Sequence, residues 1–183
     1  ADMVSLPDAV QVDSVSVPEF NAVLVYSATV NRFAPLGTGS AINNTATLTG
    51  TGITTPITAT ETLPVSEEPS LAITKSLTPT SVPENGQLTY TFVISNYGAT
   101  ETDATNNLAV TDTFDPILNP ITVTYNGTVW EEGINYTYDA ATGVFTTIEN
   151  EITVPAATYA QDPVTGEYII TPGTATLTVT GNV

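Results

Sequence analysis

Alternating apolar and polar residues predict that this chain is built from β-strands. The clearest example is 71–77, where Leu71, Ile73, Lys75 and Leu77 occur at every second position. Successive side chains of a strand point to opposite faces, so these four side chains share one face. That face is apolar except for the lysine at its centre, and this makes the lysine the first candidate for a special role.

The same pattern predicts a long series of further strands. They are rich in β-branched residues and are separated by Gly and Pro, as strands between turns usually are. No segment shows the period of 3.6 residues that an amphipathic helix would need. The predicted strands are 22–30, 41–49, 57–63, 71–77, 88–96, 107–114, 121–125, 128–131, 134–138, 143–147 and 174–183, with weaker ones at 151–159 and 167–171.

Three turns have specific sequence signals. Asn126 followed by Gly127 is typical of a two-residue hairpin turn between strands. The loops 139–143 and 162–166 both end in Gly, which favours the left-handed backbone conformation that longer hairpin loops need. These signals agree with the strand pattern and place neighbouring strands in antiparallel pairs.

Many short strands without a helix predict an all-β fold, and we expect an immunoglobulin-like β-sandwich. An internal repeat modifies this picture, because 22–30 aligns with 175–183 at the end of the chain. The strands that follow 22–30 would therefore have their equivalents beyond the last residue. We expect three parts: 1–66 as the C-terminal part of one Ig-like repeat (a partial second unit, or donated strands), 67–70 as a linker, and 71–183 as an Ig-like repeat without its last strands.

Composition narrows the classes of function. Lys and Arg number 2 against 19 Asp and Glu, a formal net charge of −17, and such a surface repels nucleic acid and anionic membranes. The chain has neither Cys nor His, which excludes thiol chemistry, His-dependent catalysis and zinc sites with sulfur or nitrogen ligands. No apolar run reaches the length of a transmembrane helix. The chain starts at Ala1, so we expect processing or a fragment, and we expect an extracellular, protease-exposed protein that is not an enzyme and needs no cofactor.

Several motifs resemble one bacterial repeat family. These are LxITKSxxP at 71–79, GxLTYxFxISN at 86–96 and VTD at 110–112, with APLG at 34–37 and INNTATLTG at 42–50. In this order they resemble the tandem repeat called domain of unknown function eleven. The resemblance implies an Ig-like sandwich in a bacterial cell-surface, fibre or spore-surface protein, often beside isopeptide-forming fimbrial domains.

Three polar residues stand in similar apolar surroundings. Lys75, Asp112 and Asn44 each lie between apolar residues at period two, so each should point inward. A buried unpaired charge is costly, and a group of these three has the chemistry of a Lys–Asn isopeptide bond. Apolar surroundings favour the neutral lysine and protonated acid which that reaction uses. The alternative is that Lys75 reaches the sheet edge and pairs with a carboxylate.

Two other groups of residues are weaker candidates for a binding site. Glu101, Asp103, Asp112 and Asp115 could offer oxygen ligands to calcium, but solvated acidic loops are the favoured interpretation, and we expect no metal. The aromatic residues Tyr125, Trp130, Tyr136 and Tyr138 could form a sugar-stacking face. Cross-strand pairing within two hairpins is the favoured interpretation of that group.

The sequence therefore predicts a structural subunit or repeat segment of a bacterial cell-surface or spore-surface filament or appendage. Its partners would be copies of itself, joined end to end by strand complementation, with contact to a cell wall or host surface as a further expectation. The alternative is an adhesin-type binding module on a surface stalk. Neither function involves nucleic acid or membrane insertion.

Overall fold

The computed structural model describes Val25, Ser27 and residues 29–183. Within this part the chain contains β-strands, one short 3-10 turn at Ala104–Asn106 and no α-helix. The residues from Phe33 to Val183 form one compact unit. The predicted strand at 22–30, and with it the internal repeat, lies largely outside the described residues. The predicted all-β class is confirmed for the described part.

Twelve strands are described, and we number them in chain order. They are β1 Ala41–Leu48, β2 Ile57–Pro64, β3 Leu71–Thr78, β4 Gln87–Asn96, β5 Thr111–Thr113, β6 Ile121–Tyr125, β7 Thr128–Trp130, β8 Tyr136–Asp139, β9 Val144–Thr147, β10 Thr158–Gln161, β11 Tyr168–Thr171 and β12 Gly173–Asn182. All pairs are antiparallel. A five-stranded sheet has the order β3-β4-β12-β6-β7, and a three-stranded sheet has the order β5-β9-β8. The hairpins β1–β2 and β10–β11 are separate two-stranded sheets.

The two larger sheets share one hydrophobic core, which is consistent with a β-sandwich. In β4 and β12 every second residue is buried, as expected for strands with one face on a core. The three-stranded sheet contributes Phe145, which is fully buried, and Phe114 follows β5 into the same core. The largest apolar side chains below 2% exposure are Phe114, Leu118, Val123, Phe145, Ile152, Val154, Leu177 and Val179.

The predicted turns are present. Asn126 and Gly127 both have positive φ, 48° and 82°, and connect β6 to β7 as a two-residue hairpin. Gly143 has φ 76°, and its N–H donates to the Asp139 carbonyl at 2.8 Å. Gly166 has φ 77° in the corresponding position of the β10–β11 hairpin. Glycine is favoured at these positions because a Cβ disfavours positive φ.

The sandwich is closed along one side. There the chain passes from β7 of the five-stranded sheet to β8 of the three-stranded sheet through a short connection, 131–135. Trp130 and Tyr136, at the two ends of this connection, are both buried. The indole stacks on the ring of Tyr125 with centroids 4.8 Å apart. Two apolar side chains here remain exposed: Ile134 on the connection itself at 60% and Val129 of β7 at 65%.

The opposite side is open. Here β3 pairs only with β4, and β5 pairs only with β9, so each is an edge strand among the described residues. Leu71 and Ile73 of β3 are 40% and 54% exposed, although they lie on the face that β3 turns toward the core. We call the gap between β3 and β5 the open seam, with Leu71 and Ile73 on one wall and Leu108 and Val110 on the other.

One strand is shorter than its pattern predicts. The predicted strand 107–114 contributes only Thr111–Thr113 to β5. Asn107 adopts the left-handed conformation with φ 48° after the 3-10 turn, which ends any extended run before it. The Val110 N–H donates to the Thr147 hydroxyl at 2.9 Å instead of to a backbone carbonyl. Among the described residues no helix has the length and apolar character needed to cross a membrane.

Candidate functional site at the open seam

Lys75 lies at the centre of β3 and faces the core side of the five-stranded sheet. Its cross-strand partner is Phe92, a buried residue of β4. The ammonium lies 4.5 Å from the ring centroid of Tyr90, 5.6 Å from that of Phe92 and 5.8 Å from that of Phe114. A cation over an aromatic face is attracted by the ring quadrupole, by roughly 0.5–2 kcal/mol per favourable contact. The lysine therefore lies on the core side of β3, although its side chain is 41% exposed.

Asp112 meets Lys75 across the seam. The Lys75 ammonium forms an ion pair with the Asp112 Oδ2 atom. Oδ1 accepts a hydrogen bond from the Thr113 N–H at 3.0 Å, whereas the buried Oδ2 has no aligned hydrogen-bond donor among the described residues. The side chain of Asp112 is 18% exposed and that of Lys75 is 41% exposed. The pair therefore joins the two sheets while solvent still reaches the lysine from the open side.

An apolar groove lies beside this ion pair. Its volume is about 190 Å³, and its walls come from both sheets. It is lined by 71–73 of β3, Ile94 of β4, 108–110 ahead of β5, and Ile152. A groove between two edge strands has unpaired backbone groups on both sides, so it is a natural place for an added strand.

The β1–β2 hairpin has two different faces. On one face, Thr45 and Thr60 share a hydrogen bond of 2.8 Å between their hydroxyls, and the Thr62 hydroxyl donates to Asn43 at 2.7 Å. This face is polar and rich in threonine. Because opposite residues of a pair share a face, the pairing register places Asn44 and Glu61 together on the other one.

That other face of the hairpin is apolar around Asn44 and Glu61. We call it the apolar hairpin face; it consists of Ile42, Asn44, Ala46, Leu48, Ile57, Ala59, Glu61 and Leu63. Leu48, Ile57 and Leu63 are 58%, 60% and 60% exposed. Exposed apolar residues in a contiguous group of this kind commonly mark an interaction surface.

The structure brings together two of the three predicted crosslinking residues. Lys75 and Asp112 are in contact, whereas Asn44 lies on the hairpin, a different sheet, and is exposed. In the structure, Lys75 lies on an edge strand and pairs with a carboxylate. This is the arrangement that the sequence analysis gave as the alternative to an isopeptide bond. The isopeptide bond between Lys75 and Asn44 stays a prediction.

Two of the four acidic residues considered as calcium ligands, Asp103 and Asp112, have other partners in the structure. Asp103 caps the 3-10 turn, and its Oδ1 accepts from the Thr105 hydroxyl at 2.6 Å and from the Thr105 N–H at 2.8 Å. The hydroxyl contact, followed by the backbone contact, lowers the pKa of Asp103 below its ordinary value. No group of three or more acidic side chains placed to hold a metal occurs in the described part of the chain.

The aromatic residues weighed as a sugar-stacking face belong to the core instead. Tyr125, Trp130 and Tyr136 are less than a tenth exposed. Tyr136 packs against Phe145 with ring centroids 5.5 Å apart, and the Tyr138 hydroxyl donates to the Leu118 carbonyl at 2.7 Å. A ring needs an exposed face to stack on a sugar, and these rings are packed in or against the core. Their positions therefore favour the interpretation of cross-strand and core packing.

Asn96 is a buried polar residue that the strand pattern did not single out. It is fully buried and makes four hydrogen bonds. Its Oδ1 accepts from the N–H groups of Ser70 and Gly98 at 3.0 and 2.9 Å, and its Nδ2 donates to the carbonyls of Thr100 and Pro155 at 2.8 and 3.1 Å. One signal was available, because Asn96 follows the buried residues of β4 at period two. The residue joins three chain segments beside the start of β3.

Comparisons with known proteins leave the family open. Searches with the chain find no matching family model, no matching curated protein and no matching solved structure. The resemblance of its motifs to the domain of unknown function eleven therefore stays a prediction. The function has to be inferred from the geometry of the open seam and the hairpin.

Proposed function

We propose that this chain is a structural subunit or repeat segment of a bacterial cell-surface or spore-surface filament, assembled end to end by β-strand complementation. The observation that supports the proposal is the presence of two partly exposed apolar surfaces in one chain. One is the open seam between β3 and β5, and the other is the apolar hairpin face of β1–β2. Each surface exposes groups that an added partner would cover.

The energetics favour covering both surfaces. Full burial of a Leu or Ile side chain stabilises by roughly 1.5–3 kcal/mol relative to full exposure. Leu48, Ile57 and Leu63 of the hairpin and Ile73 of the seam are each more than half exposed, so about half of that gain is still available at each. Backbone pairing along the free edge of β5 would add hydrogen bonds and fix the register.

The arrangement of these surfaces on different parts of the chain favours a filament over a closed dimer. A hairpin of one copy that fits the seam of another makes a heterologous contact, with unlike surfaces on the two partners. Such a contact leaves one free hairpin and one free seam at the ends of every assembly. Growth can then continue unless the rotation between copies closes a ring.

Composition supports an extracellular site for this assembly. The chain lacks Cys and His and has only two basic residues, so it offers few sites to trypsin-like proteases and no thiol to oxidise. An immunoglobulin-like sandwich of this kind, related to the domain of unknown function eleven, would serve as a mechanical unit of a surface appendage. No enzymatic role is proposed.

The test is assembly of the purified chain, followed by sedimentation velocity and negative-stain electron microscopy. We expect species that grow with concentration and form linear particles. Ile73→Asp places a charge on the wall of the seam and should leave monomers. Val164→Asp is the matched control, because Val164 lies in the β10–β11 loop and is 91% exposed. A monomer at all concentrations for the unaltered chain, or equal assembly of both variants, would overturn the proposal.

A further inference from the structure

We propose that assembly is covalent: Lys75 of one copy forms an isopeptide bond with Asn44 of a second copy whose β1–β2 hairpin occupies the open seam. Asp112 of the first copy carries the proton. The inference rests on the proposed strand complementation and adds a chemical bond to it. The observation behind it is that a Lys–Asp pair lies in the seam while an Asn lies at the centre of the apolar hairpin face.

The two surfaces match in their pattern of apolar and polar groups. The seam has apolar residues along β3 from Leu71 and, in line with them, the polar pair Lys75–Asp112. The apolar hairpin face likewise has apolar residues at its ends and Asn44 opposite Glu61 in the middle. If β1 of the second copy pairs with the free edge of β5, its apolar side chains cover the groove and Asn44 lies beside Asp112, facing Lys75.

Charge also favours this occupant. Lys75 is the lone cation of the described sandwich, and it is 41% exposed toward the seam. Glu61 would bring a carboxylate to the same place as Asn44. If a purely apolar strand covered the seam, Asp112 would be the only polar partner of the Lys75 ammonium. Burying this ion pair without further hydrogen bonds would cost free energy, because water would be excluded from it. The hairpin of a second copy supplies polar partners at that one point and apolar groups elsewhere.

The reaction balances without a redox partner. The ammonium of Lys75 first gives one proton to the Asp112 carboxylate, which yields a neutral amine and a neutral acid. The amine nitrogen then attacks Cγ of Asn44, while the Asp112 carboxyl group hydrogen-bonds the amide oxygen. The Nζ–Cγ bond forms, the Cγ–Nδ2 bond breaks, and the proton passes through Asp112 to the leaving nitrogen. Ammonia is released, and lysine and asparagine are joined by an amide.

The partial exposure of Lys75 explains why docking would start the reaction. With the seam open, solvent reaches the lysine side chain of the ion pair, which is 41% exposed. When the hairpin covers the seam and removes this water, separated charges become costly and the neutral pair is favoured. The aromatic rings of Tyr90, Phe92 and Phe114 already form an apolar floor under the ammonium. The hairpin would complete the enclosure and deliver the amide in the same step.

The test mixes two full-length variants that can react in one way only. Lys75→Arg copies keep the cation and the Asn44 hairpin but cannot form the amide, and Asn44→Ala copies keep Lys75 and Asp112. Each variant alone should give only single chains on a denaturing gel. The mixture should give a single covalent dimer, whose mass is the sum of the two chains minus one ammonia. Fragmentation of that dimer should join Lys75 of one chain to Asn44 of the other.

Matched controls separate the bond from the assembly. Asn43→Ala removes a neighbouring amide on the polar face of the same strand and should leave covalent ladders unchanged. Asp112→Ala should assemble without a covalent product. Native filaments that dissolve fully to single chains would overturn the bond and leave the proposed function intact. A single chain already lighter by one ammonia would overturn the second copy as donor, and the absence of any assembly would overturn both proposals.

Discussion

At the scale of single residues, the fold depends on a few buried polar groups with complete hydrogen bonding. Asn96 is the clearest of them, since it satisfies two N–H groups and two carbonyls from segments 68–70, 98–100 and 155. A backbone turn cannot supply all four contacts at once. A side-chain amide, with an acceptor on one side and a donor on the other, fits this position.

Replacing Asn96 should destabilise the protein strongly. In Asn96→Ala four backbone groups lose their partner in a buried site, and we expect a loss of roughly 2–4 kcal/mol in the free energy of unfolding. Urea unfolding followed by circular dichroism measures it. Asn43→Ala, on the exposed hairpin, should change the same quantity by about 0.5 kcal/mol or less. Equal effects of both variants would show that the Asn96 network contributes little.

Buried tyrosines should make the stability of the fold decrease at alkaline pH. Burial raises the pKa of Tyr125 above its ordinary 10.0, and the hydrogen bonds to Thr153 and Asn126 oppose this only in part. The folded protein therefore holds the proton more tightly than the unfolded chain does. Stability from this group is fully present below pH 10.0 and is lost as pH rises from there toward the folded pKa.

We accordingly expect the unfolding temperature to fall as pH rises above about 10. Tyr125→Phe should be less stable at neutral pH, since the bond from its hydroxyl to the Thr153 carbonyl at 2.6 Å is gone, but its stability should depend less on alkaline pH. Thermal melts at a series of pH values measure both effects. Tyr97→Phe, at a side chain 46% exposed, is the control. An identical pH slope in Tyr125→Phe would contradict the assignment to Tyr125.

At this same scale, the sequence pattern predicted which face of its strand a residue lies on, but not which residue it contacts. Period two placed Lys75 and Asp112 on inward faces, and the structure joins them in an ion pair. The pattern contained no information on the distance between them, because they lie on strands of different sheets. The same pattern also placed Asn44 on an inward face, but Asn44 is exposed on a hairpin that forms another sheet. Alternation fixes the face of a residue within its strand, whereas contacts between sheets depend on the whole fold.

At the scale of elements, strand existence was predictable and strand ends were less so. Positions such as β6 Ile121–Tyr125 agree with the pattern because apolar alternation and flanking turn signals coincide there. The strand expected at 107–114 is reduced to Thr111–Thr113, because the chain before it is held by the capping box of Asp103 and Asn106. Capping of this kind acts through two polar side chains, which a hydrophobic pattern does not register.

The paired state of β3 can be tested with trypsin, since the chain has only the two cleavage sites Arg32 and Lys75. Lys75 and Ser76 are paired with Phe92 and Thr91 of β4, so the backbone of this site would have to detach before a protease could bind it. We expect cleavage after Arg32, an exposed residue in a turn, long before cleavage after Lys75. Mass spectrometry of a native digestion over time measures the order.

Digestion in urea is the control for the β3 experiment, because both sites should then be cut at similar rates. Fast native cleavage after Lys75 would show that β3 detaches readily from β4. In that case the seam would have no stable wall on this side. The proposed docking of a hairpin would then need β3 to order at the same time, at a cost in affinity.

At the scale of the whole molecule, charge and assembly act against each other. Each copy has a formal net charge of −17, and an end-to-end contact brings two such copies together. The proposed contact between Glu61 of one copy and Lys75 of the next would be one favourable pair against this general repulsion. Repulsion between whole copies acts over many charges, so we expect it to dominate the salt dependence.

Added salt should therefore promote assembly. The screening length falls from about 30 Å at 0.01 M salt to about 10 Å at 0.1 M, which removes most repulsion between distant charges of two copies. A contact pair that is covered on docking is screened much less, and the apolar contacts of Leu48, Ile57 and Leu63 do not depend on these charges. Sedimentation velocity of the Lys75→Arg variant, which keeps the cation but cannot form the amide, should show a falling dissociation constant at increasing NaCl. Glu61→Gln in the same background should retain this trend because it removes a single charge of the copy. Assembly that weakens as salt is added would mean that the contact of Glu61 with the cation at position 75 outweighs the net charge, and the docking surface would have to be described as an electrostatic one.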